Sequence, residues 1–175
     1  MNLEAALANI ARFLDQEGIA FALVGALAVH AYGYSRATND VDLLVPRDAQ
    51  DRLIAFMEAQ GFETLHRSAG YSNHLHPDLS LGRVDVVYVD GGTWNKIASN
   101  SRRSSVGTRS VVLPKPEHLV AMKVHAMKND PTRTFKDLAD IQFLMGLPGV
   151  DRDEIRGYFE VAGLLERFRE LEESI

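Results

Sequence analysis

The sequence predicts an α+β protein, a mixed β-sheet flanked by helices and followed by a helical C-terminal region. Three observations lead there. Up to residue 113, short apolar runs bounded by Gly and Pro alternate with stretches of helical spacing, the pattern of strands and helices sharing one sheet. From Pro116 onward the strand-like runs stop and only helical periodicity remains. Finally, Asp40 and Asp42 sit at the mouth of the apolar run "DVDLLV", although strand interiors reject Asp. The expected organisation is a core over residues 1–113 and a helical region over residues 114–175 packed on it.

Each element has a local reason. Leu3, Leu7, Ile10 and Leu14 recur at helical spacing, and Gly18 stands where helices commonly end. "IAFALVG" reads as a short buried strand stopped at Gly25, and "ALAVHAYG" as a small-residue helix ending at Gly33. "DVDLLV" is the second strand, followed by Pro46 and a helix whose face carries Leu53, Phe56 and Met57. Gly61 breaks that helix, and "FETLH", "YSNHLH" and "RVDVVYV" read as further strands, with a turn over residues 77–82. "DGGTW" is expected to be a turn and "TRSVVLP" a last short strand. "PEHLVAMKVHAMKN" and "TFKDLADIQFLMG" are expected helices, with two weaker ones after Pro148.

The bulk properties narrow the function classes. The chain has 175 residues, 46% hydrophobic and 25% charged, an ordinary globular composition. A net charge of −5 argues against broad nonspecific binding to nucleic acid or anionic membranes. With no cysteine, disulfides, thiol nucleophiles and thiolate metal sites are excluded. The N-terminal stretch has no basic segment leading into an apolar one, and no apolar run reaches the ~18 residues of a membrane span. A cytoplasmic protein without a membrane partner is the expectation.

The chemistry gathers around the aspartates. Residues two apart on an extended chain face the same side, so Asp40 and Asp42 would hold their carboxylates side by side. Two like charges that close repel unless a cation lies between them, so the spacing calls either for a metal or for a turn at Asn39-Asp40. Asp85 lies among Val84, Val86, Val87 and Val89 in an expected interior strand, where it needs a cation, a set of donors or a nearby Arg. Asp90, beside Gly91-Gly92, reads as a turn residue. Gly25-Ala26 joins a strand to a helix, so backbone N–H groups could meet an anion with no side chain at Gly25 in the way. Three carboxylates beside such a turn make a hard-oxygen site suited to Mg²⁺ and to phosphate chemistry.

With these residues in view, "LVGALAVHAYGYSRATNDVDLLV" resembles the signature of the nucleotidyltransferases related to DNA polymerase β. The AbiEii-type branch, found in bacterial toxin–antitoxin systems, carries a G-x-x-R-x-T-x-D-h-D stretch, h being apolar. Gly33, Arg36, Thr38, Asp40 and Asp42 reproduce it in register, and Lys123, Lys136, Asp137 and Asp140 fit that branch's downstream pattern. The resemblance implies transfer of a nucleoside monophosphate from an NTP to an acceptor hydroxyl: a tRNA 3′ end, a protein or a small molecule. It implies an antitoxin partner if the toxin role also carries over. By resemblance, Asp40 and Asp42 would ligate Mg²⁺, and Asp85 would be the third carboxylate, which activates the attacking hydroxyl. Gly25 and the Ala26 backbone would hold the triphosphate, while Arg36, Thr38 and Lys123 would line the nucleotide pocket. Ala26 departs from the members that have a hydroxyl there, which keeps open a non-catalytic binding module of the same fold. Transfer of the γ-phosphate is a further alternative.

Several other residues have structural explanations. Thr134 to Asp137 resembles a capping box, Asp140 could pair with Lys136 one turn away, and Lys123 could lay its stem along the core. His74 and His76 alternate on a strand and could chelate a metal such as zinc, but with no third ligand evident they read as half-exposed; His118 and His125 read as structural. The stretch 101–110 holds three Arg and no acid, and reads as a solvated loop and edge strand or as a contact for RNA or nucleotide phosphates.

Overall fold

The computed structural model describes residues 3–78, 80–106 and 109–175. In chain order the core elements are α1 (Leu3–Gln16), β1 (Ala22–Val24), α2 (Gly25–Ala31), β2 (Asp40–Pro46), α3 (Gln50–Ala59), β3 (Glu63–Ser68), β4 (Tyr71–Leu75), β5 (Arg83–Val89), α4 (Gly91–Ala98), β6 (Arg102–Val106) and β7 (Arg109–Leu113). Four helices follow: α5 (Pro116–Asn129), α6 (Thr134–Met145), α7 (Arg152–Ala162) and α8 (Leu165–Glu172). The seven strands make one sheet in the order β3-β4-β5-β2-β1-β7-β6. It is mixed: β2 runs parallel to β5 and β1 to β7, and the other neighbours are antiparallel. The α+β architecture is therefore as the sequence predicts.

Burial follows the two periodicities. Leu3, Leu7, Ile10 and Leu14 are all buried on one stripe of α1. Along β2, Val41, Leu43 and Val45 share one face and are buried, while Asp40 and Asp42 share the other and are half-buried. On the neighbouring strand β5, Val84, Val86 and Tyr88 are buried on one face, and on the other Arg83 is exposed, Asp85 buried and Val87 half-buried. Burying one apolar side chain of this kind contributes roughly 1.5–3 kcal/mol, so the buried stripes hold the sheet against its helices.

The backbone divides into two compact units. One runs to Ala31 and resumes over Ser35–Pro114; the other comprises Tyr32–Tyr34 and Lys115–Ile175. In the helical unit, Phe159 is fully buried with its ring 5.6 Å from that of Phe168, and Tyr34 stacks on Phe143 at 5.0 Å.

Several local expectations are corrected. "DGGTW" is not a turn: Gly91 begins α4, and Asp90 is its N-cap, its carboxylate accepting from the Thr93 N–H at 2.9 Å. The chain overcomes the low helix propensity of two glycines because the cap satisfies an end donor and Ile97 is buried. Asp137 is no capping residue, since a short 3₁₀ turn over Pro131–Arg133 precedes α6 and Asp137 is fully buried. His74 is fully buried rather than half-exposed, 2.8 Å from the Ser72 hydroxyl. His76 falls after the strand, where its Nδ1 accepts from the Asp78 N–H. The basic stretch 101–110 contributes the edge strand β6, paired to β7; its Gly107 and Thr108 lie outside the described residues, as does Leu79 of the turn over residues 77–82.

Candidate metal centre

The carboxylates meet through strand register. β2 and β5 pair so that Asp42 stands directly beside Asp85, and Asp40 precedes Asp42 by two residues on the same face. The strand begins at Asp40 itself, paired with Arg83, so Asp40 is a strand residue and not part of a turn. One carboxylate oxygen from each of Asp40, Asp42 and Asp85 lies within 4.8 Å of the others. Oxygens on one Mg²⁺ sit about 3–4 Å apart at its 2.0–2.1 Å bond length, a spacing close to that of this set.

Three features shape this cluster. First, the Thr38 hydroxyl donates to Asp40 Oδ1 and so orients that carboxylate. Second, Gly25 sits against Asp42 with φ of 62°: a Cβ built there would lie 1.9 Å from Asp42 Oδ2. Only glycine lets the β1–α2 turn approach the carboxylate this closely. Third, Asp85 is held on its other flank, its Oδ1 accepting from Arg83 Nε at 2.8 Å and from Asn73 Nδ2 at 3.0 Å. A bridge to a nearby Arg, one of the expected answers to a buried Asp85, is thus present, and Arg83 supplies it alongside the two neighbouring aspartates. Tyr71 completes this flank: its hydroxyl accepts from Asn73 at 2.8 Å. Burial, and then the Asp85 charge, push the Tyr71 phenol up to about 12, so it stays neutral at ordinary pH.

The other residues singled out in the sequence are placed as follows. Ala26 follows Gly25 in α2 and is 3% exposed. The Arg36 backbone N–H donates to His30 Nε2 at 3.2 Å, and its guanidinium donates to the Ala37 carbonyl at 3.2 Å. Lys123 lies in the helical unit, buried, donating to Asp140 at 2.5 Å and to Asp137 at 3.2 Å. Arg133 adds a second cation to Asp137 at 3.3 Å. Asp140 is therefore buried with Lys123 and is not an exposed partner of Lys136. Sequence reasoning overlooked Asn73 and Tyr71. Arg83 could have been found two residues before Asp85 on the same strand face, whereas Asn73 needs the β4–β5 register, which places it opposite Asp85.

A family described as "uncharacterised nucleotidyltransferase" matches residues 1–170. The chain belongs to that nucleotidyltransferase family. Solved structures agree on the nucleotidyltransferase fold. The antibiotic-resistance factor ANT(2″)-Ia superposes with a TM-score of 0.69 at 14% identity, covering 97% of this chain and 95% of that one. The lincosamide antibiotic adenylyltransferase LnuA, solved with lincomycin bound, gives 0.61 at 14% identity over 82% of this chain and 96% of that one. An antigenic nucleotidyltransferase-like protein from Paracoccidioides brasiliensis gives 0.60 at 18% identity, over 98% of this chain and 90% of that one. At these identities the likeness is one of fold. No curated protein matches the sequence. Among the described residues, no helix is long and apolar enough to cross a membrane.

Proposed function

We propose that this nucleotidyltransferase moves a nucleoside monophosphate from an NTP to an acceptor hydroxyl, with Mg²⁺ held by Asp40, Asp42 and Asp85. The observation that carries the reading is the convergence of those three carboxylates within 4.8 Å, in a chain of a nucleotidyltransferase family. Mg²⁺ in that cluster would neutralise charge on the phosphates and on the departing pyrophosphate. The rest falls to the chain. Asp85 takes the proton from the acceptor hydroxyl, whose oxygen forms a bond to the α-phosphorus as the bond to the β-phosphate breaks. Thr38 keeps Asp40 oriented, and the Gly25–Ala26 backbone, lying against Asp42, receives the phosphates. Arg36 and Lys123 carry a nucleotide-binding assignment by resemblance; the side-chain bonds that Lys123 makes are to Asp137 and Asp140.

The acceptor placed first is a small hydroxylated molecule, because LnuA, of the same fold, is a lincosamide adenylyltransferase solved with lincomycin bound. A tRNA 3′ end or a protein side chain follows. Incubation with each α-³²P-NTP, Mg²⁺ and either a small-molecule extract, bulk tRNA or a lysate tests the reading, with Asp42→Asn alongside. Label appearing on an acceptor and lost in the folded mutant is the expected result; equal labelling by both proteins overturns the role of Asp42.

One observation favours a second reading, a nucleotide-binding module without turnover. Ala26 brings no hydroxyl to the turn, and it is buried, so phosphates there meet backbone alone. Nucleotide binding without pyrophosphate release would establish that alternative. The toxin role, with an antitoxin partner, is supported by the motif from Gly33 to Asp42, and arrest of growth on expression of this chain alone tests it.

A further inference from the structure

We propose that Asn73 and Arg83 are positioning residues that clamp the Asp85 carboxylate through one oxygen, so that its orientation toward Asp40 and Asp42 is set before any cation arrives. The inference rests on the metal-dependent reading above and assigns two residues that neither the motif nor the resemblance includes. Both donors fall on the same atom, Asp85 Oδ1, with Asn73 Nδ2 at 3.0 Å and Arg83 Nε at 2.8 Å. Two bonds to one oxygen oppose rotation of the carboxylate about its last torsion, which is otherwise broad.

Asn73 is itself held. It is 6% exposed, and the same Nδ2 donates to the Tyr71 hydroxyl at 2.8 Å, so both amide hydrogens have acceptors. The register keeps it there, since Asn73 is paired across from Asp85 and therefore shares its face. Asp85 thus has Asp42 on one flank and Asn73 on the other. A neutral amide at this position can aim the carboxylate without competing for a cation, whereas a fourth carboxylate there would compete.

Arg83 adds a charge as well as a bond. Its guanidinium cannot lose its proton in a protein and, being 44% exposed at its side chain, is partly screened by water. It offsets part of the repulsion among the three aspartates and also repels an incoming divalent cation. The two clamps therefore have effects of opposite sign on metal affinity: Asn73 raises it by preorganisation, and Arg83 lowers it by charge.

That opposition is the test. Mn²⁺ binding to the full chain is followed by electron paramagnetic resonance for wild type, Asp42→Asn, Asn73→Leu and Arg83→Gln, with melting temperatures as the check on folding. Glutamine retains a donor but no charge. The expected result is Mn²⁺ binding weakened about threefold or more by Asn73→Leu and tightened about threefold or more by Arg83→Gln. Should Asn73→Leu fail to fold, Asn73→Ser, which keeps a polar group too short to reach Asp85, takes its place. Transfer of α-³²P label, measured in parallel, should fall about tenfold in kcat in both variants, with the NTP KM within about twofold. Mn²⁺ binding that is lost in Asp42→Asn but unmoved by Asn73→Leu and Arg83→Gln overturns the clamp alone. Equal weakening in both, tracking a fall in melting temperature, also overturns it, because a merely structural role predicts that. Wild type that binds no Mn²⁺ overturns the clamp and the metal-dependent reading together.

Discussion

Gly25 is the residue whose replacement should say most about the site. Alanine there must adopt a left-handed conformation costing about 1–2 kcal/mol, and its Cβ would collide with the Asp42 carboxylate, 1.9 Å from Oδ2. Gly25→Ala is expected to lower the melting temperature modestly and to reduce label transfer about a hundredfold. Asp42 has to move when the turn cannot. A melting curve beside a transfer assay separates the two effects. His74 offers a second test at this scale, through pH. Burial lowers its pKa below the ordinary 6.5. The unfolded chain therefore binds a proton below about pH 6.5 that the folded chain refuses, and folding stability falls as pH drops through that window. The melting temperature should decline from about pH 7 to about pH 5, and a folded His74→Gln variant should show a flatter profile. Of these residues, Gly25 was legible as a glycine between a strand and a helix. The burial of His74 was not, because it depends on register between strands: Thr64 of β3 meets one ring nitrogen, and Ser72, itself bonded to the Tyr88 hydroxyl of β5, meets the other.

Among the elements, α5 and α6 are joined by an ion cluster where the sequence suggested a cap and a surface pair. Lys123 is 6% exposed, and its ammonium serves two carboxylates with no measurable exposure, Asp137 and Asp140. Lys123→Met should destabilise the chain by about 3–5 kcal/mol, because two buried carboxylates lose a buried cation that bonds both. Urea unfolding followed by circular dichroism measures this directly. A loss below about 1 kcal/mol, the size of an exposed pair, would show that water reaches the cluster. Sequence periodicity placed both helices, since helical spacing is a local property. It misread their charges, since the i to i+4 rule pairs residues on one helix whereas here the partners come from two. The strand pair β2–β5 makes the same point. Alternation put Asp42 and Asp85 each on one face of a strand, but only the parallel register sets them side by side.

For the whole molecule, the prediction concerns coupling between cation and fold. A cation that binds only the assembled carboxylates stabilises the folded state by mass action. Mn²⁺ at about a hundredfold its Kd should raise the melting temperature by roughly 5–10 °C, and the rise should vanish in Asp42→Asn. An unchanged curve for wild type would mean that the three aspartates tolerate one another without an ion. The amino-acid sequence was sufficient for the α+β class, for most strands and helices, and for singling out three aspartates and a glycine turn that the fold brings together. Those features rest on periodicity, turn residues and side-chain type, all encoded within a few neighbouring positions. It was insufficient for α4, read as a turn from its two glycines, and for the burial of Lys123, Asp137 and Asp140. Nor could it supply Asn73 as the second donor to Asp85. Each of these depends on segments brought together by folding: Ile97 buried from α4, α5 against α6, and the β4–β5 pairing that sets an amide opposite a carboxylate. Contacts between distant segments are decided by the global packing of the chain, and no local pattern records them.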